Sequence, residues 1–245
     1  MGGLHLLDVL DKVTIDWSDF DEAGRTSREL LADLADDKPS LRRLLHDVEL
    51  SRHLLSLSER QEMLDNLVVY DALDRGFRIR FHIGSADEDE MHERNARYAD
   101  FPHNHRSCFS TRILHGSYRH RAYTVLDPDR DGDAPLWSGN TDVDQPLDRP
   151  AEFVPYFDRV ERPGDSYTLH FSAVHTMYPL EANLVTLYLR APVAQEESRV
   201  WNRAGVARWG EIGGASEPRW RRDAVKMPVE HYLGLRDRLH EVEAV

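Results

Sequence analysis

A chain of 245 residues with 31 lysines and arginines against 44 aspartates and glutamates carries a formal net charge of −13. That balance disfavours a nucleic-acid backbone or an anionic membrane surface as partner. Nine tyrosines, eight phenylalanines and five tryptophans argue against disorder, and one cysteine, Cys108, excludes an intramolecular disulfide and a cysteine-rich zinc site.

No stretch approaches the roughly 20 apolar residues of a membrane helix, and the first residues lack the basic start of a signal peptide. The expectation is a soluble, cytoplasmic protein forming a single domain over 1–245.

Residues 1–75 read as helical. Leu30, Leu31 and Leu34, then Leu41, Leu44 and Leu45, recur at three- and four-residue spacing among charges. Ser40 suits a helix N-cap before LRRLLHDVEL. Ser58 opens SERQEMLDNLVVYDAL with Gln61 three residues on, which is the capping-box pattern. At Gly76 the period changes to two: in FRIRFHI, Phe77, Ile79, Phe81 and Ile83 alternate with Arg78, Arg80 and His82, the pattern of a strand with one apolar face.

Short strands follow in CFSTRIL, SYRHRAYTVL, SYTLHF and NLVTLYLRAP. Two long connections separate them: 84–102, with the acidic run ADEDEMHE, and 126–152, dense in Asp, Pro and Gly. The first leads into His103 and reads either as a lid over a site or as a solvated face. Short strands without intervening helices predict a mostly β protein, an antiparallel barrel or jelly roll with its core over 76–192. Beyond 193 an extension leads to a terminal helix starting near Pro228, with Tyr232, Leu233, Leu235 and Leu239 in a stripe packed on the barrel.

Thirteen histidines are present, and His5, His46, His53, His231 and His240 sit among charges in helical zones, where a solvated reading suffices. His115 and His120 flank Gly116 and read as facing water, while His103-Asn104-His105 stands apart. In extended chain, residues i and i+2 point the same way, so two imidazoles aim at one point. Gly116 ends the following strand, the turn Pro163-Gly164-Asp165 opens a later one, and His175 follows that strand within a few residues.

This order of HxH, Gly, Pro-Gly-Asp and His resembles the two motifs of the cupin superfamily. Counting seven residues back from Gly116 reaches Phe109, so the Glu usual in cupins is missing. With three histidines and no Glu, the chain resembles the cysteine dioxygenase branch, the thiol dioxygenases. HNHRSCFSTRILHGSY, LVTLYLRAP and the helical lead-in through Tyr70 carry the likeness over residues 60–192. The resemblance implies a cupin-type barrel and an Fe(II) site on His103, His105 and His175.

It also exposes departures. The family's active-site Tyr-x-Arg falls on Tyr70-Asp71-Ala72, and its Ser-x-His-x-Tyr on Thr186 to Arg190, with Tyr188 and Arg190 in place of the assisting His and Tyr. Cys108 sits one residue off the spacing of the family's cross-linking Cys. L-Cysteine is therefore a poor substrate candidate.

Three neutral imidazoles suit Fe(II), with Zn, Ni or Mn as alternatives, and leave the metal's full charge to attract an anionic chelator. Candidate substrate contacts are Arg190, which could grip a carboxylate bidentately, with Thr186, Arg78, Arg80 and Tyr70. Tyr188 is the candidate catalytic proton donor, His170 a candidate hydrogen-bonding neighbour of the ligands, and Cys108 either a reactive thiol or a small buried hydrophobe.

The leading expectation is a non-haem iron dioxygenase taking dioxygen and a small chelating, amino-acid-like metabolite. A non-redox metal-dependent cupin enzyme, or a non-catalytic ligand-binding cupin, stays open. So does a homodimer paired through sheet edges.

Overall fold

The computed structural model describes residues 6–61, 63–98, 101–126, 152–195, 198, 201 and 225–245. The chain opens with helices α1 (Leu6–Leu10), α2 (Phe20–Asp36), α3 (Lys38–Leu50) and α4 (Arg52–Leu57). The leucine spacing holds: Leu30, Leu31, Leu34, Leu41, Leu44 and Leu45 are all buried in one cluster. α3 starts earlier than Ser40, however. Asp37 is its N-cap, with Pro39 in the first turn, and the Asp37 carboxylate accepts both the Ser40 amide, at 3.2 Å, and the Ser40 hydroxyl, at 2.6 Å.

The helical reading of 58–75 is overturned. Ser58 ends α4 rather than beginning a helix: its hydroxyl donates to the Leu54 carbonyl and accepts the Val68 amide. Beyond it lie strands β1 (Glu59–Arg60) and β2 (Asp65–Ala72), then a single 3-10 turn at Leu73–Arg75. The physical reason is the β-branched pair Val68-Val69 within a run buried from Asp65 to Val69.

Gly76 then reverses the chain into β3 (Phe77–Ile83) with φ 95°, and a Cβ there would sit 2.0 Å from the Ile15 carbonyl oxygen, so only glycine fits. The connection 84–102 is not a loop throughout, because it contains α5 (Glu88–Tyr98). Asn95 ties this helix down by donating to the Pro179 carbonyl at 2.8 Å.

The remaining strands are β4 (Phe109–His115), β5 (Tyr118–Leu126), β6 (Glu152–Glu161), β7 (Ser166–Leu169), β8 (Val174–Pro179), β9 (Val185–Arg190) and β10 (Val225–Lys226), followed by helix α6 (Val229–Glu241). The interior of the connection 126–152, and most of 193–224, lie outside the described residues. β6 and β8 are strands beyond those expected from the sequence pattern. β6 carries Pro155, tolerated because β6 is an edge strand.

The strands form two antiparallel sheets, of order β10-β1-β2-β3-β9-β4-β7 and β6-β5-β8. The protein is thus mostly β, a two-sheet jelly-roll barrel with helices at its N- and C-terminal ends. Gly116, at φ 69°, makes the tight turn from β4 to β5 against Leu184. The Pro163-Gly164-Asp165 turn opens β7, with the Asp165 amide on the Arg162 carbonyl.

The large sheet is apolar on its outside. Phe77, Ile79, Phe81 and Ile83 of β3, with Val185, Leu187 and Leu189 of β9, share one cluster with α2, α3 and α6. Tyr232, Leu235 and Leu239 of α6 are buried in that cluster, and the Tyr232 hydroxyl donates to the Leu45 carbonyl of α3. These leucines and phenylalanines therefore pack on helices rather than on the opposite sheet. The consequence governs the site: the polar alternate residues of β3 and β9 are left facing the inside of the barrel.

Candidate metal centre

His103 lies just before β4 in extended chain that pairs with β8. The His103 amide donates to the His175 carbonyl and the His175 amide to the His103 carbonyl, each at 2.9 Å. Two residues on, the His105 amide donates to the Phe171 carbonyl at 3.0 Å. This pairing keeps the backbone extended, so the two imidazoles of the HxH pair project together beside His175. One ring nitrogen from each of His103, His105 and His175 lies within 4.8 Å of the others.

The nitrogens are arranged as ligands would be. His105 Nε2 and His175 Nε2 face each other at 2.8 Å. Two lone pairs that close repel unless a cation or a proton stands with them. Neighbouring nitrogens on an ion bound at 2.0–2.1 Å lie about 3 Å apart, so the spacing fits a metal. His103 Nδ1 donates to the Phe101 carbonyl at 2.9 Å, which leaves its Nε2 as a lone pair.

Burial pulls all three imidazoles below their ordinary value, His105 and His175 well below, with neighbouring histidines adding to the effect at both. Neutral imidazole is the form that binds metal. The three-histidine group is present and fits a borderline divalent ion such as iron, zinc or nickel.

The ligands open on a cavity of about 310 Å³ between the two sheets. Its walls hold no aspartate or glutamate among the described residues. Of the residues named from sequence, Tyr188, Thr186 and Arg80 line it. The Arg80 guanidinium lies 4.3 Å over the Tyr188 ring. Tyr188 is also stacked on Phe109, at 4.6 Å between centroids. Burial raises the Tyr188 phenol above its ordinary 10.0, so it keeps its proton.

Three buried polar atoms in this wall have no hydrogen-bond partner: Arg80 Nε, His82 Nε2 and Thr186 Oγ1. His82 and Thr186 are cross-strand neighbours on β3 and β9, as are Arg80 and Tyr188. Burial, then the Arg80 charge, hold His82 well below its ordinary 6.5.

The other named residues sit elsewhere. Arg78 shares the alternation of Arg80 but forks onto Asp71, at 2.8 and 3.2 Å. Arg190, at the end of β9, donates to the Ala191 carbonyl and is absent from the cavity lining. Tyr70 packs on the helix side, where its hydroxyl donates to Asp11 and accepts from Arg75. The register shift between Val68 and Tyr70 coincides with that turn away from the cavity. His170 is outside the ligand group, with Nδ1 on Ser172 and its ring edge-on to Phe20. Cys108 is buried and outside the cavity lining, its thiol pushed up by burial, which fits the small-hydrophobe reading. Nor does α5 line the cavity.

His120 corrects another expectation. It does not face water: it is 3% exposed, stacked on Tyr167, and its Nε2 lies 3.2 Å from His175 Nδ1. The signal was available, since Tyr118, His120 and Ala122 alternate with Arg119 and Arg121 as one buried face of β5.

No protein-family model and no curated protein matches the chain. Solved structures similar to it include KdgF from Halomonas sp., at 11% identity and TM-score 0.30, covering 53% of this chain and 78% of that one. A hydroquinone 1,2-dioxygenase from Sphingomonas sp. TTNP3 with 4-hydroxybenzoate bound gives 13% identity, TM-score 0.30, and coverage of 52% and 65%. An uncharacterized conserved protein with a double-stranded β-helix domain from Klebsiella pneumoniae gives 9% identity, TM-score 0.32, and coverage of 58% and 86%. Likeness at this level assigns no chemistry to the chain. The three-histidine group stands on its own geometry. Among the described residues no helix is long and apolar enough to cross a membrane.

Proposed function

We propose that this protein is a three-histidine, iron-dependent oxygenase acting on a small anionic, chelating metabolite of amino-acid-like build. The carrying observation is one cavity that holds three neutral imidazoles on one side and, on another, a guanidinium nitrogen without a partner, with no carboxylate lining the cavity among the described residues. Iron held by His103, His105 and His175 would supply Lewis acidity toward a chelating substrate and the activation of dioxygen.

The chain's own residues do the rest. Arg80 Nε offers a charge-assisted hydrogen bond to a carboxylate. His82 and Thr186, paired across β3 and β9, add two further polar atoms without partners among the described residues to the same wall, available to the acid group. Tyr188, held by Arg80 and Phe109, keeps a proton at its hydroxyl. Phe109 and Tyr167 set two aromatic rings, edge-on to each other, in the cavity wall.

Cysteine dioxygenase remains the resembling family in motif. The carboxylate handle here sits on β3 and is not its Tyr-x-Arg, which supports a substrate other than L-cysteine. The test is oxygen uptake by anaerobically Fe(II)-loaded protein across α-amino and α-hydroxy carboxylates. Uptake with at least one of them, absent for the corresponding amides, is expected. Turnover with zinc or nickel and no oxygen consumption would replace this reading with a non-redox metal-dependent enzyme.

A further inference from the structure

We infer that His120 and Glu161 are positioning residues for the metal centre, a buried carboxylate–imidazole relay that fixes the tautomer and aim of His175. The inference rests on the metal-centre reading above and deepens it.

Glu161, the last residue of β6, is 0% exposed. A buried carboxylate is costly unless paired. Arg159 answers that cost from the same strand, with Nε on Oε1 at 3.0 Å and Nη2 on Oε2. Glu161 Oε1 also faces His120 Nδ1 at 3.5 Å, an ion-pair distance rather than a hydrogen bond, and Nδ1 has no other partner among the described residues.

From there the carboxylate's charge sets where each proton sits. An ionised carboxylate can only accept and attracts the nearest N–H, so it favours the His120 proton on Nδ1, which has no competing acceptor among the described residues. A neutral imidazole has one donor and one acceptor, so His120 Nε2 is a lone pair. His175 Nδ1 lies 3.2 Å from that lone pair and must donate to it. The remaining lone pair of His175 is then on Nε2, the atom that faces His105 Nε2 at 2.8 Å. The carboxylate thus dictates, two rings away, which nitrogen of His175 is free to ligate.

The sheet is built for this. His120 sits on β5, the central strand of the small sheet; β6 on one side supplies Glu161 and β8 on the other supplies His175. The His120 ring is clamped by stacking on Tyr167 at 4.5 Å and by the edge of Phe157 at 5.1 Å, so it cannot swing to another partner without repacking. His103 receives the same service from the neutral Phe101 carbonyl. Glu161, through His120, puts a negative charge behind His175, which makes its free nitrogen a stronger donor to a metal.

The experiment is a Co(II) titration of the metal-free protein, read by dissociation constant and ligand-field absorption, with thermal unfolding of each metal-free variant alongside. His120→Phe keeps a ring in the aromatic clamp and removes the acceptor. It is expected to weaken Co(II) binding by about 10- to 100-fold and to change the absorption bands, with little shift of the metal-free unfolding midpoint. His120→Gln, which can still accept and donate, is expected to recover most of the affinity.

Wild-type affinity and spectrum in His120→Phe would overturn the relay, and so would a His120→Gln protein as impaired as the Phe variant. Should His120→Phe fail to fold, Glu161→Gln preserves the packing; about tenfold weakening supports the relay and none overturns it. Failure of the unmodified protein to bind Co(II) at all would overturn the metal-centre reading itself.

Discussion

At the scale of single residues, the site turns on which polar side chains already have partners. Arg78 and Arg80 are two apart on one strand and share its polar face. Arg78 is claimed by Asp71 across the ladder, whereas Arg80 Nε has nothing to bond. Arg80→Met keeps the stem over Tyr188 and removes the charge. It should raise the KM for a carboxylate substrate by about 10- to 100-fold, the loss expected for a hydrogen bond to a charged group, and leave metal content unchanged. An unchanged KM, measured by oxygen uptake, would move the carboxylate elsewhere.

The Arg78–Asp71 pair has its own signature. Burial pushes the Asp71 carboxyl up, but hydrogen bonds from Arg78 and His53 and their charges outweigh it, and the net shift is below the ordinary 3.8. Its stabilisation is therefore present above that ordinary value and lost as pH falls through the lowered one. Asp71→Asn should accordingly be less stable than the parent near neutrality and lose less on acidification below about pH 4. Parallel denaturation curves for the two proteins from neutrality into acid would refute this.

HxH was legible because side-chain direction in extended chain depends only on the backbone. The neighbours of Arg80 and His120 were not, because they come from strands remote in sequence, and Asp71, only seven residues before Arg78, was hidden by the helical reading of 58–75.

Among the elements, β3 is the hinge of the account. Its alternation was plain in FRIRFHI, but alternation says that two faces differ and not which one is wet. The helices decide it by covering Phe77, Ile79, Phe81 and Ile83. Phe81→Ala should destabilise the fold by about 3–5 kcal/mol, as expected for emptying a fully buried aromatic site. Chemical denaturation measures it, and a cost under about 1 kcal/mol would contradict burial of that face against the helices.

Two other elements were misread for identifiable reasons. Ser58 and Gln61 match a capping box that the Val68-Val69 strand overrides. The acidic run of 84–102 reads as a loop by composition, yet Glu88, Asp89 and Glu90 form the first turn of α5, where the helix dipole favours negative charge, and Asp87 accepts the Glu90 amide.

On the scale of the whole molecule, the charge distribution is the informative feature. A chain of net charge −13 keeps its carboxylates out of the central cavity among the described residues, and places there four imidazoles, three of them in the ligand group, and one arginine. That arrangement suits a small anionic ligand drawn inward by a bound metal.

The central claim is that His103, His105 and His175 hold a metal. The direct measurement is metal content by mass spectrometry on protein purified without chelators, beside a His175→Ala variant. Near-stoichiometric iron in the parent and its loss in the variant is the predicted result. No metal in either protein, even after anaerobic loading with Fe(II), would contradict it.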